Sequence, residues 1–186
     1  MKKIIAFGAS SSRKSINKTL ANYAVNQLSG VEVKSLDLND FEMPIYSMDR
    51  EMENGIHDLA YKFKNEIKSA DGIIISFAEH NGAYSTEFKN IFDWISRIDK
   101  NVWENKPMFL MATSPGGYGG KSVLGMALSR FKRGNRNTIV SFSLPSFGSN
   151  FSNETGIIDV TLKPEFEARL KEFESAVQNE SSQPEN

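Results

Sequence analysis

The residues of this chain best able to do chemistry gather in three short loops. The first runs Gly8-Ala9-Ser10-Ser11-Ser12-Arg13-Lys14-Ser15-Ile16-Asn17 and sets hydroxyls, an arginine and an amide just ahead of a segment with helical spacing. First-turn N–H groups of a helix are unpaired and lie at the positive end of its dipole, so such a loop can cradle an anion while Arg13 adds charge. The spacings G-x-x-x-x-G-K-[ST] and G-x-G-x-x-G are both missing, which directs the expectation to a single phosphate. The same residues also suit a plain helix start with Ser15 as N-cap.

The second loop, Ala78-Glu79-His80-Asn81-Gly82-Ala83-Tyr84, is polar, and its Asn-Gly pair favours a tight turn with positive φ that can aim backbone amides at a ring edge. Taken alone it is an ordinary turn. The third, Thr113-Ser114-Pro115-Gly116-Gly117-Tyr118-Gly119-Gly120, has four glycines that strip away side chains and permit close approach of backbone to a ligand, or else merely permit a flexible loop.

Other chemistries have little footing. His57 and His80 are the only histidines, neither sits at a metal-ligand spacing, and no metal site is expected. Gly8-Ala9-Ser10-Ser11-Ser12 lacks the final glycine of G-x-S-x-G, so a serine hydrolase is not indicated. The acid pairs Asp37/Asp40 and Glu51/Glu53 lie in polar connections and read as solvated surface, while Trp94 and Trp103 read as packing residues.

The elements that must position these loops follow from periodicity. Five β-type runs stand out, Lys3 to Phe7, Val31 to Leu36, Gly72 to Phe77, Pro107 to Ala112 and Thr138 to Leu144. Ile73-Ile74-Ile75 and Met108-Phe109-Leu110-Met111 are apolar without alternation, as strands covered on both faces must be. Between and after the runs lie helical patterns around Ile16–Leu28, Ile56–Ile67, Phe88–Ile95, Val123–Phe131 and Phe166–Val177, the last with Pro164 in its first turn. This repeated βα alternation predicts an α/β fold with a doubly wound, five-stranded parallel sheet in three α/β/α layers. For strand order 2-1-3-4-5 the ligand crevice opens between the first and third strands, and all three loops fall at that end of the sheet.

With 186 residues one domain is expected, over residues 1–177, followed by a disordered tail at 178–186 that has no apolar residue. The connections from about 37 to 54 and 145 to 159 mix aromatics, Pro, Gly and Met, and could form site walls or subunit contacts. A formal net charge of -1 gives no broad basic field for nucleic acid or for an anionic membrane surface, so a small ligand is expected. Cys is absent, which removes disulfides, thiolate metal sites and cysteine nucleophiles. The apolar run of MKKIIAFG is too short for a signal peptide and reads as a first strand, and a cytoplasmic protein is expected.

Three blocks in this order, Gly8 to Leu20, Glu79 to Trp94 with Lys89-Asn90-Ile91-Phe92-Asp93-Trp94, and Ser114 to Gly120, resemble the NADPH-dependent FMN reductase family of flavodoxin-like proteins, which includes azo-dye, quinone and chromate reductases. The likeness covers about residues 2 to 175. It implies FMN as cofactor and NADPH or NADH as co-substrate. It further implies that Ser10, Arg13, Ser15 and Asn17 hold the FMN phosphate, and that Glu79, His80, Asn81, Gly82, Ser114, Gly117, Tyr118 and Gly119 border the ring system. No catalytic acid or base is then required, because the flavin carries the hydride chemistry. Family members are usually dimers or tetramers, and Lys89 to Arg97 with Phe41 to Met48 would suit a subunit contact. Two departures touch the ring pocket: His80 stands where a tyrosine is common, and Tyr118 where an arginine often occurs. The rival reading is a flavodoxin-type electron carrier. It would benefit from a strongly acidic surface, which 22 Lys+Arg against 23 Asp+Glu do not supply.

Overall fold

The five apolar runs form one parallel sheet. In the computed structural model, which describes residues 1–179, the strands β1 (Lys2–Ala9), β2 (Val31–Ser35), β3 (Gly72–Phe77), β4 (Met108–Thr113) and β5 (Ile139–Leu144) pair in the order 2-1-3-4-5. Every neighbouring pair is parallel. This is the expected flavodoxin-like order. Its register matters for the site: Ala9 of β1 pairs with Phe77 of β3, which pairs with Ala112 of β4, so these three strands end level with one another.

The helices are α1 (Ile16–Asn26), α2 (Met48–Asn54), α3 (Asp58–Ser69), α4 (Thr86–Ile98), α5 (Lys121–Phe131), α6 (Phe147–Asn150) and α7 (Leu162–Asn179). Successive side chains of a strand point to opposite faces, and the core divides accordingly. Ile5, Phe7, Ile73, Ile75 and Leu110 meet α3, α4 and α5 on one face, whereas Ile4, Ala6, Ile74, Phe109 and Phe142 meet α1 and α7 on the other. β3 and β4 are buried at every position, as their unbroken apolar runs require. The edge strand β5 alternates, and the other edge, β2, exposes Glu32 and Lys34, charges that discourage pairing with another sheet. Trp94 and Trp103 are both buried, the former donating to the Pro44 carbonyl at 2.8 Å and the latter stacked 6.4 Å from Phe88.

Two features have no periodic signal in the sequence. The connection after β2 contains a 3-10 turn, Leu38–Phe41, and α2, which buries none of its residues and so shows no apolar stripe. The connection after β5 contains α6 and a small hairpin, Phe151–Ser152 with Gly156–Ile157. At the carboxyl end α7 runs through Gln178 and Asn179, so the start of the expected tail is helical. Residues 180–186 lie outside the described residues.

Lys64 of α3 is fully buried. Its ammonium donates to the carbonyls of Asn101 at 2.7 Å and Val102 at 2.8 Å and pairs with Glu104 at 2.6 Å, which replaces the water it gave up.

Candidate functional site

Gly8 lets the first loop form where it does. A Cβ at this position would lie 2.4 Å from the Lys18 nitrogen and 2.6 Å from its Cα, so only glycine allows the first turn of α1 to rest on the end of β1. The loop then folds on its own hydroxyls: the Ser12 amide donates to Ser10 Oγ at 3.1 Å, and Ser15 caps α1 by accepting from the Lys18 amide at 3.3 Å. Ser10 is buried, while Ser12, Arg13 and Lys14 are exposed. The N-cap reading of Ser15 and the anion-cradle reading are compatible here, since one helix start supplies both.

Asn17 has an additional task. Its Oδ1 accepts from the Ser76 hydroxyl at 2.7 Å and from the Thr113 amide at 3.0 Å, and its Nδ2 donates to the Thr113 carbonyl at 3.1 Å. One buried amide thereby ties α1 to the ends of β3 and β4.

The second loop is a hairpin in which Glu79–His80 pairs with Ala83–Tyr84. Asn81 at φ 52 and Gly82 at φ 78 both take the left-handed conformation, the turn that the Asn-Gly pair favours. Ser85 follows, capping α4 by accepting from the Phe88 amide at 3.3 Å and donating to the Ala9 carbonyl at 2.9 Å, which anchors the hairpin to β1. Glu79 Oε2 accepts from the Val123 amide of α5 at 3.0 Å.

In the third loop the glycines answer two different needs. Gly119 and Gly120 are buried at φ 66 and 70. A Cβ on Gly119 would lie 2.5 Å from Ser143 Oγ and 2.9 Å from the Pro145 nitrogen, and one on Gly120 would lie 2.9 Å from Ala112 Cβ. The close approach at these two positions is to the chain itself, a correction to the view that all the glycines clear space for a ligand. Gly116 and Gly117 are exposed, with nothing within 4 Å of an added Cβ except Ser146 Oγ at 3.9 Å from that of Gly117. Tyr118 is 62% exposed, and Ser114 donates to the Gly116 carbonyl at 3.1 Å.

Together the loops enclose a cleft of about 280 Å³. Ser10, Ser12, Lys14, Ser15, Ile16 and Asn17 line it from the first loop, Ala78, Glu79 and His80 from the second, and Thr113, Ser114 and Pro115 from the third. Of the residues expected at the site, Ser10, Ser15, Asn17, Glu79, His80 and Ser114 meet here. Arg13, Asn81, Gly82, Gly117 and Tyr118 are exposed on the same loops beyond the lining, and Gly119 is buried behind it. Lys14, Ser12 and Thr113 are additions to the expected set. All three stand inside the loops already singled out, but which of several adjacent polar side chains turns inward depends on the backbone path.

A second cleft of about 310 Å³ lies beside the first loop, with Leu38, Phe41, Met43 and Ile91 as its apolar floor and Ser11, Asn39 and Glu87 at its rim. The Asn39 amide donates to the Ser11 carbonyl at 3.0 Å, and a hydrogen bond from Ser11 holds the Glu87 carboxyl below its ordinary range. The connection after β2 is therefore the wall of a cleft.

The donor set of the first loop suits a phosphate. The first loop offers unpaired helix amides, hydroxyls and the cations Arg13 and Lys14, with no carboxylate in it, and the one carboxylate lining the cleft, Glu79, is engaged by α5. Among the described residues no three of His, Cys, Asp and Glu group as they would around a metal ion, and no helix is long and apolar enough to cross a membrane.

A family model described as NADPH-dependent FMN reductase matches residues 2–146. The chain is 31% identical over 93 residues to an NADPH:quinone oxidoreductase of Arabidopsis thaliana, covering 50% of this chain and 46% of that protein. It is 35% identical over 119 residues to a 2-hydroxy-1,4-benzoquinone reductase of Burkholderia sp, covering 63% of each. It is 29% identical over 107 residues to an NADPH azoreductase of Bacillus sp. strain OY1-2, covering 58% of this chain and 56% of that one. The chain thus spans between about half and just under two thirds of the length of these relatives. Among solved structures, the flavoenzyme NAD(P)H:(acceptor) oxidoreductase FerB from Paracoccus denitrificans superposes with a TM-score of 0.76 at 20% identity, covering 96% of this chain and 98% of that one. An apo NADH:FMN oxidoreductase superposes with a TM-score of 0.74 at 18% identity, covering 99% and 92%. At such identities these two establish the shared fold.

Proposed function

Since the chain belongs to the NADPH-dependent FMN reductase family, we propose that it is an NAD(P)H-dependent oxidoreductase that binds FMN in the cleft at the ends of β1, β3 and β4. It passes electrons from NADPH or NADH to a small acceptor such as a quinone, an azo compound, a metal ion or free flavin. The observation that carries this reading is the level ending of the three strands, which brings a cation-bearing helix start, a polar hairpin and an open glycine loop to one cleft.

FMN held in this cleft would supply the two-electron chemistry. The protein's own residues bind and orient. Ser10, Ser12, Ser15 and the first-turn amides of α1 accommodate the phosphate, with Arg13 and Lys14 neutralising its charge. Asn17 holds the helix start against β3 and β4 while it lines the cleft. His80, with Asn81 and Gly82 behind it, and Ser114, with Gly117 and Tyr118 beyond it, would border the ring and orient nicotinamide and acceptor against it. No side chain need act as acid or base.

The protein works as a homodimer or homotetramer in the cytoplasm and needs neither membrane nor nucleic acid. The subunit contact includes the exposed apolar side chains of Ile45, Met48 and Met52 next to α4, which nothing within the described chain covers. An electron carrier on this fold would have to dock on a protein partner, and the near-balanced charge gives no overall field for steering one.

The test is an anaerobic visible spectrum of the purified protein supplied with FMN, before and after adding NADPH and, separately, NADH. Bleaching well above a protein-free control is the expected result. A perturbed flavin spectrum that neither donor bleaches would replace the reductase by a carrier.

A further inference from the structure

Glu79 opens the hairpin that walls one side of the cleft, yet its hydrogen bond crosses to another element. Val123 is the third residue of α5, and its N–H is among those a helix cannot pair internally. The residue in the N-cap position, Gly120, offers no side chain, and its left-handed φ of 70 and its closeness to Ala112 keep that position glycine. The cap comes instead from Glu79, 44 residues away, whose Oε2 lies 3.0 Å from the Val123 nitrogen. A carboxylate at a helix amino terminus is favoured by the dipole as well as by the hydrogen bond. The partners belong to the loop after β3 and the helix after β4, so this bond spans the two walls between which a ring would lie.

We propose that Glu79 is a positioning residue: by capping α5 it sets the spacing between the hairpin and the glycine loop, and it keeps its negative charge on the helix terminus rather than on the ligand. This rests on the flavin reading above. Glu79→Gln retains an oxygen that can accept from Val123, whereas Glu79→Ala does not. The experiment reads two quantities for each variant: exchange of the Val123 amide hydrogen in the flavin-free protein, and the dissociation constants of FMN and riboflavin together with the bound-flavin absorption spectrum.

In Glu79→Ala the Val123 amide should exchange about tenfold faster, and FMN and riboflavin should both bind about tenfold more weakly with an altered spectrum, because the ring walls and not the phosphate site are disturbed. Glu79→Gln should recover protection and affinity to within about threefold. Faster exchange in Glu79→Ala with unchanged flavin affinity and spectrum would overturn the proposal, leaving the cap a matter of stability alone. So would a Glu79→Gln protein that keeps Val123 protected but binds flavin as weakly as Glu79→Ala, since the carboxylate would then touch the ligand itself. Failure of the unsubstituted protein to bind either flavin would overturn the flavin reading, and it is distinguishable because it appears before any substitution.

Discussion

The Tyr84 hydroxyl, at the foot of the hairpin, is buried with no hydrogen-bond partner among the described residues, and its ring packs against Phe77, Phe88 and Phe92. Burial pushes the phenol from its ordinary 10.0 up to about 12, partly offset by the Arg130 charge. A pKa raised in the folded state means that the fold keeps this share of its stability below pH 10.0 and loses it as pH rises toward about 12. Tyr84→Phe should therefore flatten the alkaline limb of a stability–pH curve, and at neutral pH should be neutral or gain about 1 kcal/mol by deleting an unsatisfied group. Lys64 is the opposite case, a buried charge fully engaged by two carbonyls and Glu104. Lys64→Met should lower unfolding stability by about 3 kcal/mol, read from urea denaturation, because it strands those partners. On the exposed part of the first loop, Arg13→Ala should weaken FMN binding about tenfold or more while leaving riboflavin nearly untouched, and equal loss of both would defeat the assignment of Arg13 to the phosphate.

Between elements, contacts too close for a side chain decide how the site is built. The first turn of α1 lies against Gly8, so Gly8→Ala must push α1 away from β1 and carry the first loop with it. The expected cost is about 2 kcal/mol in thermal or urea unfolding, together with weakened FMN binding. Gly116 in the third loop is the internal control: its φ is ordinary and an added Cβ meets nothing, so Gly116→Ala should change stability by no more than about 0.5 kcal/mol. The Asn17 clip and the Glu79 cap act at the same scale, the first joining α1 to two strands and the second joining two loops. Neither was legible in the chain. A loop asparagine and a loop glutamate look like candidate ligand contacts, and what they bind at home is 96 and 44 residues distant.

For the molecule as a whole, acid stability follows from carboxylates held in their charged form. A hydrogen bond and ion pair from Lys18 bring Asp37 from 3.8 down to about 2, and backbone amides of Leu162 and Thr161 lower Asp159 at the start of α7. Lowered folded-state values contribute stability that is fully present above the unfolded value and disappears as pH falls through the folded one. Unfolding stability should accordingly fall between pH 3.8 and about 2, and Asp37→Asn should lessen that fall. Asp37 was read as solvated surface from its sequence context. The structure leaves it partly exposed but joins it to α1 beside the loop after β1.

The chain by itself determined the strands, the main helices and the three loops, because unbroken apolar runs and 3.6-residue periodicity are local consequences of burial on two faces or one. It also determined the Asn-Gly turn, since few residues adopt positive φ in succession. Tertiary structure alone decided which side chains in those loops face the cleft, that Gly119 and Gly120 make room for the protein's own chain, and that α2 forms without an apolar face. The physical reason is the same throughout. Periodicity reports how a residue sits relative to its neighbours in sequence, whereas the partners of Asn17, Glu79 and Gly119 are brought near only when β1, β3, β4 and β5 align in one sheet.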